Sequence, residues 1–267
     1  MLANPDANLE EQDVDDSCDL KTPKSREEIV EEDWRCVVRT CGPSYAAWFH
    51  LHQSGQLDTL QTVFGEQDGS LYAALAVYLF CGGKAMQNFP DWLSRTYLPK
   101  IEPVDGQRIS ELLLKVDQSK MDHYFKLRFE QLLDTARKKR ALANDQHERH
   151  RRPLTIAFDS TSISTYSETI DHAEYGHAKR GPDLKQVNLA LVCDQLSGEV
   201  IYAYEYSGSI NDRGSFDHIL ENMVQAGFAL NEVELVLDRG YKSMHNIQKQ
   251  LNAGLKFLQG LPIDEDT

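Results

Sequence analysis

Hydrophobic residues change their spacing near the middle of the chain. Before residue 150 they recur every three or four positions, which is the period of an amphipathic helix. Tyr45–His52, Leu57–Phe64 and Leu71–Phe80 show it, separated by breaks at Gly42-Pro43, Ser54-Gly55 and Gly82-Gly83. Phe89, Trp92, Tyr97 and Leu98 add an aromatic cluster, and Pro103 opens a linker. A short helix is expected at Ile109–Val116. A long one is expected at Ser119–Leu142, with Ser119 as its N-cap and Tyr124, Leu127, Phe129, Leu132 and Leu133 broadly on one face. From Leu154 onward the apolar runs are short and bounded by turn residues, as strands are. They fall at Leu154–Phe158, Val187–Cys193, Val200–Tyr206, Val233–Leu237 and Lys256–Leu258. Helical patterns at Ser215–Ala226 and Ser243–Asn252 separate the later runs, and Asp194–Gly198 reads as a hairpin turn. Three strands followed by strand–helix alternation predict a mixed sheet of α/β class with flanking helices, preceded by a mainly helical region. No period of twenty to fifty residues recurs, so a repeat protein is excluded.

Composition refines this outline. The chain has 267 residues and a net charge of −14, but the charge is uneven: residues 1–33 carry 12 acidic and 3 basic side chains, and the other 234 residues carry a net −5. Residues 1–33, with Pro5 and Pro23 and few apolar side chains, are expected to be a disordered acidic tail, with a helical end at Ser25–Asp33. The expected division is therefore 1–33 tail, 34–150 helical region and 151–267 sheet domain. The five cysteines form no Cys-x-x-Cys pair, so neither a disulfide framework nor a zinc knuckle is supported, and Cys36, Cys41, His50 and His52 lack a second cysteine pair to frame them. The N-terminus lacks the pattern of a signal peptide, and the longest apolar run, Leu71–Cys81, is about half a membrane span. A cytoplasmic protein with no membrane partner is expected.

The candidate chemistry lies in the second half. The run Leu235–Leu237 ends in Asp238, and Leu154–Phe158 ends in Asp159. Open α/β sheets usually place their sites at the ends of strands, so two strand-end carboxylates on one sheet form a candidate metal pair. The long helix ends in Arg137, Lys138, Lys139 and Arg140, with Arg149, Arg151 and Arg152 close behind; from Arg137 to Arg152 there are seven basic and two acidic residues. Basic side chains complement the dipole at a helix C-terminus, and a cluster this dense also attracts a phosphate backbone. The helical region before it is either a DNA-end recognition or dimerisation unit, or a small helical core and nothing more.

Several motifs occur in a specific order: FDSTSIS around Asp159, YGHAKRGPDLKQVNLAL at Tyr175–Leu191, the glycine turn at Ser207–Asp212, and LVLDRGYKSMHNI at Leu235–Ile247. Together they resemble the DDE transposases of bacterial insertion sequences, most closely the broad group named after insertion sequence four. The likeness covers about Leu154 to Gly260. It implies a ribonuclease H-like fold, and it implies that Asp159 and Asp238 are the first two acids of a catalytic triad. The implied cofactor is a pair of Mg²⁺ (or Mn²⁺) ions, with Asp159 bridging both and Asp238 completing one. The implied partners are the terminal inverted repeats of the element and its target DNA, and the implied active state is a homodimer. Lys179, Lys185, Arg239 and Lys242 are then candidates for phosphate contacts. Tyr241 is placed either to stack on a base or to pack against the following helix.

The chain also departs from the pattern. Gly208 is followed by Ser209 where Gly-Asn is usual, and Gly181 stands where an arginine is common. The third acid of the group is a glutamate on a helix well beyond the fifth strand. Glu265 is the only glutamate after that strand here, at what reads as a frayed end, and the chain stops at Thr267. The expectation is a transposase cut short before its third acid. The alternative is a catalytically inactive remnant that binds DNA.

Overall fold

A computed structural model describes residues 38–142, 154–176, 184–252 and 254–260. The chain divides into two units, Met1–Val38 and Arg39–Thr267. The expected acidic tail at 1–33 lies outside the described residues.

The second unit opens with five helices: α1 (Pro43–Gln53), α2 (Gln56–Phe64), α3 (Glu66–Phe80), α4 (Phe89–Arg95) and α5 (Gly106–Leu113). Their apolar faces share one core built on Trp48, Leu57, Leu71, Val77, Tyr78, Phe89, Leu93 and Leu112. The aromatic cluster forms around Tyr78, whose ring lies 5.5 Å from Phe89 and 5.2 Å from Trp92. Tyr97 is not part of it; it stays half exposed and stacks on Tyr45.

The long helix α6 (Gln118–Leu142) follows. Its start is capped by Asp117, whose Oδ1 accepts from the Lys120 amide at 2.8 Å, not by Ser119. A carboxylate acceptor satisfies one of the open amides of the first turn as a serine would. Phe129 and Leu133 of α6 enter the core of the sheet rather than that of the helices. α6 also meets the helical region, where Gln131 Nε2 donates to Thr59 of α2 at 3.4 Å, so it packs against both parts of the chain.

The sheet consists of β1 (Leu154–Thr165), β2 (Lys185–Asp194), β3 (Val200–Ser207), β4 (Val233–Leu237) and β5 (Lys256–Gln259). Its order is β3-β2-β1-β4-β5, with β3, β2 and β1 antiparallel and β1, β4 and β5 parallel. A short turn joins β2 to β3, a longer segment (166–184) leads from β1 to β2, and the crossovers to β4 and β5 contain α7 (Asp212–Gln225) and α8 (Met244–Asn252), as parallel pairing requires. This order and polarity are those of a ribonuclease H-like fold with a helical region before it. Leu154, Ile156, Phe158, Leu235 and Leu237 face a core shared with Phe216, Ile219 and Met223 of α7. Among the described residues no helix is long and apolar enough to cross a membrane.

One strand is longer than its apolar run. β1 continues through Asp159 to Thr165, because Asp159–Thr165 pair with Leu191–Lys185 of β2. Polar residues tolerate this extension because it needs ladder partners more than it needs a buried face.

Candidate functional site

Asp159 and Asp238 come together through register. β1 and β4 are parallel neighbours, and their last ladder pair is Phe158 opposite Leu237. Asp159, still on β1, and Asp238, just past the end of β4, are the next residues along the chain. Side chains alternate across a strand, and the preceding residues Phe158 and Leu237 point into the core at 3% exposure each. Both aspartates therefore turn to the opposite face, where both are exposed. Neighbouring strands lie about 4.8 Å apart, so the two carboxylates share one patch of surface. Because β4 stops at Leu237 and β1 runs on, the pair stands in a notch beside the exposed part of β1 and not at a common strand end.

Each carboxylate is oriented by its own following amide. Asp159 Oδ1 accepts from the Ser160 N–H at 2.8 Å, and Asp238 Oδ1 accepts from the Arg239 N–H at 2.6 Å. Behind them, Tyr241 donates its hydroxyl to Ser160 Oγ at 2.7 Å. Cys193 lies near Asp159; burial and the charge of Asp159 push its thiol pKa up. Among the described residues no group of three or more His, Cys, Asp or Glu side chains is placed to hold a metal ion. Two hard-oxygen donors, fixed on one face and open to solvent, still fit Mg²⁺ or Mn²⁺. Such ions are held by one or two carboxylates plus waters and substrate phosphate oxygens.

The basic candidates are dispersed. Arg239, exposed, and Lys242, half-buried, follow Asp238 within four residues. Lys185 pairs with Thr165, six residues along β1 from Asp159, or about 20 Å at the rise of a strand. Arg137 forms a two-pronged ion pair with Glu232. Glu232 sits immediately before β4, and Asp238 immediately after it, so this part of α6 meets the sheet at the end away from the aspartates. Lys138 pairs with Asp134 at 2.6 Å within α6. Lys139 is exposed and Arg140 half-buried. Lys179, Gly181, Arg149, Arg151, Arg152 and Glu265 lie outside the described residues.

Tyr241 does not present its ring to a base. It is 3% exposed, edge-on to Phe158 at 4.9 Å and 6.0 Å from Phe216. The ring packs, but on Phe158 of β1 and Phe216 of the preceding helix α7 as part of the sheet core; the helix that follows, α8, meets the Tyr241 carbonyl through Asn246. Ser160 was not a candidate in its own right, yet it is 6% exposed and receives the Tyr241 hydroxyl. Its position two residues after Phe158 on an alternating strand was the available signal. A second pair of turns also tightens around a carboxylate: Ser207 donates to Glu174 Oε2, as does Ser209, and these hydrogen bonds hold the Glu174 pKa below its ordinary value.

Residues 150–262 match the family model described as Transposase DDE domain. The match covers the whole sheet and both aspartates, though less than half of the chain. This part of the chain is therefore similar in sequence to transposase DDE domains. No curated protein sequence matches the chain significantly. Among solved structures it is similar to the Mos1 transposase paired-end complex with left transposon end, at 14% identity over 69% of this chain and 56% of that one, with a TM-score of 0.29. It is also similar to the piggyBac transposase synaptic complex with hairpin DNA, at 10% identity over 90% of this chain and 47% of that one, with a TM-score of 0.34. A third likeness is the Drosophila P element transposase strand transfer complex, at 14% identity over 76% and 43%, with a TM-score of 0.20. These likenesses are distant, and the chain spans only about half the length of each of these three.

Proposed function

We propose that this chain is part of an insertion-sequence DNA transposase of bacterial origin that acts in the cytoplasm. In this reading it binds the element ends, cuts a phosphodiester bond and joins the freed end to target DNA, working as a homodimer. The observation that carries the reading is the adjacency of Asp159 and Asp238 on one sheet face, inside the stretch that matches the Transposase DDE domain. Asp159 and Asp238 would hold two Mg²⁺ or Mn²⁺ ions between them. When bound, such ions neutralise charge on the phosphate and leaving oxygen and lower the cost of forming a hydroxide nucleophile. The protein's own part is positional: the Ser160 and Arg239 amides fix the two carboxylates before substrate arrives, so less reorganisation remains for the reaction. Arg239 and Lys242 lie close enough along the chain to meet the phosphates flanking the scissile bond, and Lys139, Arg140, Lys179 and Lys185 would contact DNA farther out.

A second reading has one specific observation in its favour. No third acidic, histidine or cysteine side chain joins the pair among the described residues, and two carboxylates hold a metal pair less firmly than three. A DNA-binding chain without cleavage activity would follow.

One experiment separates these readings. The purified chain is incubated with supercoiled plasmid and Mg²⁺ or Mn²⁺, and DNA binding is followed in parallel by gel shift across a salt series. Metal-dependent nicking that disappears in Asp159→Asn supports the transposase. Binding with steep salt dependence and no nicking supports the inactive DNA-binding chain. Absence of binding even at low salt overturns both.

A further inference from the structure

We infer that Tyr241 is a positioning residue for the carboxylate pair, acting through its hydroxyl bond to Ser160. The inference rests on the proposed role of Asp159 and Asp238 as divalent-ion ligands and adds to it a part of the machinery that holds them in place.

The geometry is specific. Ser160 follows Asp159 directly and points the other way, into the core; Tyr241 lies three residues after Asp238, at the end of the single helical turn Arg239–Tyr241. The Tyr241 amide donates to the Asp238 carbonyl at 3.2 Å, which closes that turn. The hydroxyl then reaches Ser160 Oγ at 2.7 Å in a buried contact. The far side of the turn is fixed as well: Asn246 of α8, itself 2% exposed, donates from Nδ2 to the Tyr241 carbonyl at 2.9 Å. Tyr241 thus ties the segment carrying Asp238 to the strand carrying Asp159, at a point where the β1–β4 ladder has already ended. Beyond Leu237 no ladder pair with β1 holds Asp238 at a set distance from Asp159. A phenylalanine would pack equally well against Phe158 and Phe216. The hydroxyl is therefore spent on the link between segments, and a buried hydroxyl bond is directional where ring packing is not. Residues behind metal ligands commonly change metal affinity by about 10–100-fold when altered.

The test compares the wild-type chain with Tyr241→Phe, Ser160→Ala and the double variant, by amide hydrogen exchange, Mn²⁺ binding read by electron paramagnetic resonance, and thermal melting. Tyr241→Phe removes one oxygen and keeps the ring, so folding is retained. The expected result is faster exchange at residues 239–242, about tenfold weaker Mn²⁺ binding, and melting within a few degrees of wild type. The double variant should be no weaker than either single one, because both remove the same bond. Unchanged exchange at 239–242, or strictly additive losses, overturns the clamp. Faster exchange with unchanged Mn²⁺ affinity overturns the positioning role and leaves a structural strap. Failure of the wild-type chain to bind Mn²⁺ overturns the ligand role of the aspartates, while the exchange data still decide whether the clamp exists.

Discussion

Asp238 stands beside Asp159 on the neighbouring parallel strand, one position beyond the last ladder pair and on the face turned away from the core. Neither was brought there by proximity in the chain, since they are 79 positions apart. Asp159→Asn and Asp238→Asn each keep the shape of the side chain and remove its charge. Each is expected to weaken Mn²⁺ binding by more than about 100-fold, beyond the range seen for residues behind the ligands. Stability should move by less than about 0.5 kcal/mol, as at other exposed positions. Calorimetric titration with Mn²⁺ and urea denaturation of the same samples check both parts.

A nearly buried ion pair joins Arg128 of α6 to Glu199, immediately before β3. Arg128 is 3% exposed in its side chain and Glu199 14%, with a shortest contact of 2.6 Å, and Arg128 also donates to Gln131. Arg128→Met leaves the Glu199 charge nearly buried without its partner. The expected loss is about 3–5 kcal/mol, measured by urea denaturation. Adding Glu199→Gln should recover part of it, because the unpaired charge is then gone.

Gly176 and Gly208 meet where the loop after β1 crosses the end of the β2–β3 pair. A Cβ at Gly208 would fall 2.1 Å from the Gln186 carbonyl oxygen and 2.6 Å from that of Glu174. Those two residues form the isolated bridge that pins the loop. Gly208→Ala should therefore cost about 1–3 kcal/mol or more through overpacking against backbone. Loss of amide protection at Glu174 and Gln186, ahead of the rest of the sheet, is the expected signature in hydrogen exchange.

Asp68 gives the helical region a pH dependence. Burial alone would raise its pKa, but hydrogen bonds from Lys115 and Arg108, with their charges, outweigh burial and hold it below the ordinary 3.8. A carboxylate with a depressed folded pKa adds stability above its unfolded value and loses that stability as the pH falls through the folded value. Asp68→Asn should therefore destabilise the chain most near neutral pH. The difference from wild type should shrink as the pH drops below 3.8. Denaturation at neutral and acidic pH is the measurement; a difference that stays constant would place the effect in packing instead.

DNA binding separates the basic residues into two groups. Arg239→Ala and Lys242→Ala are expected to lower affinity for any DNA sequence and to reduce the salt slope by about 1 for each charge removed. Arg137→Ala should leave the slope unchanged, because its guanidinium is engaged by Glu232 at the end of β4 away from Asp238. Gel shifts across a salt series distinguish the two. A slope that falls with Arg137→Ala would bring the end of α6 into the DNA surface.

The sequence by itself determined the elements. Short apolar runs became five strands, all but β1 at nearly the expected bounds, and apolar spacing of three and four became the helices, because the local pattern reports which face of an element is buried. It also marked Asp159 and Asp238, since a carboxylate directly after an apolar run must stand at the border of the core. Tertiary structure alone decided the rest. Tyr241 reads in the sequence as an aromatic among charged and polar residues, and only the fold shows Phe158, Phe216 and Ser160 closing around it. Arg137 and Lys138 read as free charge for a phosphate backbone, while the fold supplies Glu232 and Asp134 as partners. β1 outlasts its apolar run because β2 pairs with it through Thr165. The common reason is that periodicity records how one segment meets the core, whereas the partner of a polar group is chosen by which distant segments the packing brings alongside it.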